Sequence, residues 1–253
     1  MRYDTRYRTR SFSFGSSLPE GVKWLLIVNV AIYLVYFLTV DSLSKFWGLF
    51  ELVPYMVAHG AIWQLVTWMF LHDPHGLFHI LFNMLALWMF GTPVEQTWGT
   101  RRFMQYYFLC GIGSGVCVVL VNLIVGNSYQ STIGASGAIY GLLLAFGMLF
   151  PDQEILFMFL FPLKAKYAVM IYGAIAFLGS LSVGGTVSNL AHLGGMIFGY
   201  LYIKSLFGRR SRVAAGSGFN FDIGRAWKDY KLQRNKKKFQ VYMKKHGDGP
   251  WVN

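Results

Sequence analysis

The chain has 253 residues, 55% of them hydrophobic and 18% aromatic, and only 13% are charged, about half the charged share of a soluble domain. That deficit excludes an ordinary soluble globular protein and fits a polytopic membrane protein. The net charge of +12 does not point to nucleic acid, because the basic residues flank apolar stretches, where they set topology and favour anionic lipid.

The first segment, 1–21, is Arg-rich. No small-residue cleavage site follows the first apolar run, so it reads as a cytoplasmic segment and not as a secretory signal. Six spans are predicted, at Val22–Val40, Leu77–Gly91, Phe103–Val125, Thr132–Phe150, Tyr167–Val183 and Asn189–Phe207. A crossing takes about 20 residues, so the second and fifth are short. Of the 23 Lys and Arg residues, all but Lys45 fall at or before the start of the first span, between the second and third, before the fifth, or from Lys204 onward. Both termini are then cytoplasmic, which requires an even number of spans. The connection Asp41–Gly76 is a long outer loop whose aromatics, Phe46, Trp47, Phe50, Tyr55, Trp63 and Trp68, suit an interfacial position. The second span opens with His79 and Asn83, four apart and so on one helix face. It is followed by Gly91-x-x-x-Glu95-x-x-x-Gly99, in which Glu95 is expected to accept hydrogen bonds and to pair with Arg101 or Arg102. In the third span Cys110 and Cys117 lie two turns apart, too far for a disulfide, and read as small buried residues.

The fourth span carries Gly134-Ala135-Ser136-Gly137. Ser136 stands where a helix begins, and helix starts present unpaired backbone N–H groups and a positive dipole end. Ile155–Leu163 is apolar but too short to cross and contains Pro162, so it reads as an interfacial segment. The sixth span carries His192 and Gly195-x-x-x-Gly199, a spacing that lets helices approach closely. With Gly141 of the fourth span, it would bring Ser136 and His192 together. On this topology His79, Asn83, Ser136 and His192 share one depth near the outer face. Polar residues in such segments are costly to keep idle. A serine hydroxyl needs a base, and histidine titrates near neutral pH. No Asp or Glu occurs in the last three spans, so the expected arrangement is a Ser–His dyad with no acidic third member. His72, His75 and His79 lack the spacing of a metal site, and no metal is expected. The tail, 208–253, joins a small-residue linker to a basic stretch interleaved with aromatics and is expected to touch anionic lipid. Nucleic-acid binding is not expected there.

Four motifs in order, His79-x-x-x-Asn83, Gly91-x-x-x-Glu95-x-x-x-Gly99, Gly134-x-Ser136-Gly137 and Ala191-His192-x-x-Gly195-x-x-x-Gly199, resemble those of the rhomboid intramembrane serine proteases over about Trp63–Tyr202. The resemblance implies an all-α, six-helix membrane bundle, 22–207, that cleaves transmembrane segments of single-pass or polytopic proteins. It makes Ser136 the nucleophile and His192 the base, with His79, Asn83 and the Ser136 backbone N–H as oxyanion donors. Gly134, Gly137, Glu95, Gly195 and Gly199 become structural. No cofactor is implied, a bacterial inner membrane is the expected location, and lateral substrate entry past the fifth span is suggested. The competing class is a non-catalytic rhomboid-like protein that binds transmembrane segments. A transporter would carry more charge in its spans.

Overall fold

A computed structural model describes residues 18–157, 161–181 and 187–210; the N-terminal arginines, residues 184–186 of the last outer connection and the tail from Ser211 lie outside them. The packing and the site described below lie in the compact unit Met1–Leu206, and the last residues of the final helix belong to a second unit. The chain is mostly helical. Helix α1 is Glu20–Gly48, followed by two short helices, α2 at Pro54–Ala58 and α3 at Gln64–Thr67, and by a 3₁₀ turn at Trp68–Phe70. Then come α4 (Leu77–Ala86), α5 (Thr92–Trp98), α6 (Thr100–Val125), α7 (Ser136–Leu149), α8 (Ala165–Leu181) and α9 (Val187–Arg210). Among the described residues, three helical stretches are long and apolar enough to cross a membrane, Glu20–Gly48, Leu77–Trp98 and Thr100–Val125, and Ser136–Leu149 and Ala165–Leu181 are shorter apolar helices.

The second of these is longer than predicted because α4 and α5 are one rod joined through a π-helical turn, Leu87–Gly91. Pro93 in the following turn has no N–H and its ring crowds the carbonyl four residues back, so the helix widens there. Gly91 lies in that turn, where an added Cβ would come 3.1 Å from Val22 of α1.

Helix α6 is the centre of the bundle. Phe103, Tyr106, Tyr107 and Cys110 are fully buried. One after another its small residues admit a neighbour: Gly111 meets Met69, Gly113 meets Phe198, and Gly115 faces the Trp68 ring. The segment between α1 and α4 therefore folds down onto α6. Trp68 is 1% exposed, which corrects its expected interfacial place; Gly115 leaves room for the indole, and packing outweighs the aromatic preference for an interface. Phe46, Tyr55 and Trp63 do remain exposed. Cys110 and Cys117 are free. Cys110 packs against Gly141 and Gly199, and Cys117 against Gly194.

Two further expectations change. Glu95 makes no ion pair with Arg101 or Arg102 among the described residues. Its carboxylate accepts the backbone N–H groups of Gly21 and Val22 at 2.8 Å each, and the Thr100 hydroxyl at 2.7 Å. The start of α1 follows Pro19 and has no side-chain cap, so its unpaired N–H groups need a remote acceptor, and the buried carboxylate supplies it. The segment Ile155–Leu163, expected to be too short to cross, takes the form of paired strands: β1 (Glu154–Phe157) pairs antiparallel with β2 (Phe161–Lys164), Ile155 opposite Leu163. Pro162 forbids a helix interior there, and the flanking branched and aromatic side chains favour strand.

Candidate active site

Helix α7 begins at Ser136, so Thr132–Ala135, predicted as part of a span, lie outside it. Thr132 and Leu52 exchange both backbone bonds at 3.0 Å, and the Gly134 N–H donates to Trp68 O at 2.9 Å. The segment before the serine is thus stitched to the buried part of the first connection. Gly134 has φ +127°, a conformation that L side chains rarely adopt. A Cβ there would also stand 2.9 Å from His79 Nε2.

His192 on α9 places Nε2 3.0 Å from Ser136 Oγ. Two features hold that contact. The ring of Tyr140, one turn beyond Ser136, stacks flat on the imidazole, with centroids 3.9 Å apart and planes at 4°. The helices behind the pair touch backbone to backbone: a Cβ on Gly195 would run into the Gly137 carbonyl oxygen, and one on Gly137 into Ser114. Ser114 of α6 donates to Ala191 O at 2.5 Å, fixing α9 one residue before the histidine. Gly199 lies lower on α9 against Tyr106 and Cys110, and Tyr106 donates to Gly141 O at 2.6 Å. Of the predicted glycine contacts between α7 and α9, Gly141 faces Gly195, whose carbonyl oxygen would stand 3.2 Å from a Cβ there, whereas Gly199 packs on α6.

On the far side of Gly134 stands His79. The Asp73 backbone N–H donates to its Nδ1 at 3.2 Å. In a neutral ring that bond puts the proton on Nε2, the atom nearest Gly134. His72 is fully buried, its ring centroid 5.1 Å from that of His79. Burial, then the His79 neighbour, pushes its pKa down to about 3, so it adds no positive charge beside His79. Asn83 is nearly buried, and its Nδ2 donates to His79 O at 2.8 Å. One amide hydrogen is engaged there; the second remains for another acceptor.

Ser136, His192, His79 and Asn83 all line one cavity of about 700 Å³, walled mainly by apolar side chains of α4, α7 and α8 and by β1. Glu95 is not part of it. Three contributors escaped the sequence reading. Tyr140 was detectable, since four residues from Ser136 is one helix face. Asp73 acts through its backbone N–H and Ser114 through its hydroxyl on a distant backbone carbonyl, pairings that residue types do not reveal.

A serine hydroxyl bonded to an imidazole in an apolar cleft is an arrangement from which a serine nucleophile can be built. The sequence model of the Rhomboid domain matches residues 59–209, and the chain belongs to the rhomboid family of integral membrane proteins. It is similar to Rhomboid protease GluP of Bacillus subtilis (strain 168), 34% identical over 151 residues, which is 60% of this chain and 27% of that one. It is also similar to YdcA of the same bacterium, 29% identical over 198 residues, 77% of this chain and 92% of that one. Rhomboid protein 1, mitochondrial, of Saccharomyces cerevisiae (strain ATCC 204508 / S288c) is 30% identical over 203 residues, 76% of this chain and 55% of that one.

Proposed function

We propose that this protein is an intramembrane serine endopeptidase that cleaves transmembrane segments of other membrane proteins near the outer face. The observation that carries the reading is the 3.0 Å contact between Ser136 Oγ and His192 Nε2 inside an apolar cavity. His192 takes the proton of Ser136 as Oγ attacks the scissile carbonyl, then gives it to the leaving amine. Water, deprotonated by the same imidazole, hydrolyses the acyl-enzyme. Among the described residues no carboxylate completes a triad, and the flat stack of Tyr140 orients the ring in its place. The oxyanion is held by His79 Nε2–H, the free hydrogen of Asn83 Nδ2 and the Ser136 N–H at the start of α7, which belongs to the unpaired first-turn donors of a helix.

The membrane frame of this reading is six spans with both termini cytoplasmic and the first connection outside, in a bacterial inner membrane. Segment 1–21 and tail 208–253 flank a catalytic domain at 22–207. Substrates are single-pass or polytopic proteins whose spans unwind near the cut, and the basic tail rests on anionic lipid. A fluorophosphonate probe tests the core of the proposal: it labels the wild type at Ser136 and not the Ser136→Ala variant. No labelling, with intact binding of transmembrane peptides, would favour a non-catalytic binder.

Losing one oxyanion donor typically costs about 10²–10³ in rate. His79→Ala and Asn83→Ala are each expected to lower kcat by that order with little change in KM, measured on a purified transmembrane substrate. A rise in KM at constant kcat would make them substrate-binding residues. Truncation after Arg210 should leave cleavage in detergent intact, since the tail follows the last predicted span and carries none of the proposed site residues. Sedimentation with anionic vesicles should weaken, each lost basic residue near the surface removing on the order of 1 kcal/mol. A folded truncation that cannot cleave in detergent refutes the topology.

A further inference from the structure

The hairpin β1–β2 has no part in the chemistry above, yet Ile155 and Leu156 of β1 line the same cavity as Ser136 and His192. Along α4 and the π-helical turn after it, that cavity runs from His79 to Phe90, about 16 Å at the helical rise per residue. It is thus an elongated groove with the Ser–His pair toward one end. Met89 and Phe90 of the π-helical turn lie toward the other, and Ile155 and Leu156, which follow the inner end of α7 in the chain, complete the lining.

The hairpin is held firmly at its base. Asp152 pairs with Lys166 at 2.7 Å and with Lys164 at 3.5 Å. The Ala165 N–H donates to Gln153 O at 2.8 Å, and the Lys166 N–H to Pro151 O at 3.2 Å. Ile155 packs against the core, while Leu156 is 55% exposed. A strand tied at its base therefore brings two apolar residues to the border of a groove that is continuous with the site.

We propose that the hairpin is a specificity element, the inner docking surface for a substrate's transmembrane helix, with Leu156 contacting an apolar side chain about ten residues inward of the cleaved bond. This rests on the protease reading. A transmembrane helix is the occupant that fits. Its scissile end needs the polar groups at one end of the groove, its inward continuation is apolar, and a single ligand can reach both ends of one cavity. An apolar residue of the substrate facing Leu156 gains free energy by contact, and a small polar one does not.

The test pairs enzyme and substrate variants in detergent. The enzymes are wild type, Leu156→Glu and Leu156→Met. The substrates are a full transmembrane segment, the same segment with Leu replaced by Ser about ten residues inward of the cut, and a peptide ending about five residues inward. Leu156→Glu should lower kcat/KM for the full segment by about tenfold, leave the short peptide unchanged, and be insensitive to the Leu-to-Ser change that slows the wild type. Leu156→Met should behave as wild type. Equal rates for Leu156→Glu and wild type on the full segment overturn the proposal and leave the groove's inner end to lipid. A loss on both substrates alike also overturns it, since the hairpin would then act on the site's geometry. If Ser136 takes no fluorophosphonate and wild type cleaves neither substrate, the protease reading itself falls.

Discussion

Ser136→Ala and His192→Ala are each expected to lower turnover of a transmembrane substrate by on the order of 10⁴–10⁶, the range in which a hydrolase loses its nucleophile–base unit. The double variant should be no slower than either single one, because the two side chains act through one proton transfer. Neither change should unfold the protein. Ser136 is partly buried, its removed hydroxyl leaves only a methyl-sized difference, and His192→Ala leaves the backbone contacts of α9 with α6 and α7 in place. Circular dichroism and thermal melting in detergent separate the two effects. Cleavage by purified Ser136→Ala at a near wild-type rate would refute the assignment outright.

The second large effect is expected from Gly195→Ala, a change that touches neither reacting group. Alanine is about 1 kcal/mol better than glycine in a helix interior, so propensity alone predicts stabilisation. Sterics decide the sign. The new Cβ collides with the carbonyl oxygen of Gly137, and a backbone atom has no rotamer by which to withdraw. Helices α7 and α9 must part, at a typical overpacking cost of about 1–3 kcal/mol. The 3.0 Å bond between His192 and Ser136 is carried on these same two helices, and misplacement by about 1 Å can cost about 10² in rate. Both a lower melting temperature and a fall in kcat of about 100-fold are expected. Unchanged turnover in a variant that melts normally would mean that the close contact of α7 and α9 does not set the site.

The candidate site was legible because its residues are chemically out of place. Ser136 and His192 are polar groups in apolar runs, and the spacing of His79 and Asn83 puts them on one face whatever the tertiary fold. What stayed hidden depends on distant partners. Glu95 was assigned to the nearest basic residues, yet unpaired N–H groups more than 70 residues away claim it. Trp68 was read from its type as an interface residue, and only the gap at Gly115 explains its burial. Ile155–Leu163 shows no periodicity that separates a strand from an interfacial stretch, and pairing across the turn decides it. The tautomer of His79 rests on a single backbone bond from Asp73, which no residue pattern encodes.

The backbone bridge between Leu52 and Thr132 spans 80 residues of sequence, and its consequence concerns assembly. Helices form from local contacts at small entropic cost, whereas a pairing of such high contact order must first close a long loop. The turn before Ser136 gets its shape from Leu52 and Trp68, and the base arrives on α9, the last helix of the bundle. No continuous piece of chain shorter than Leu52–His192 holds every part of the site. The proposed reactivity would therefore belong to the finished tertiary structure, absent from each helix as it enters the bilayer and available only once the first connection has closed over the fourth predicted span.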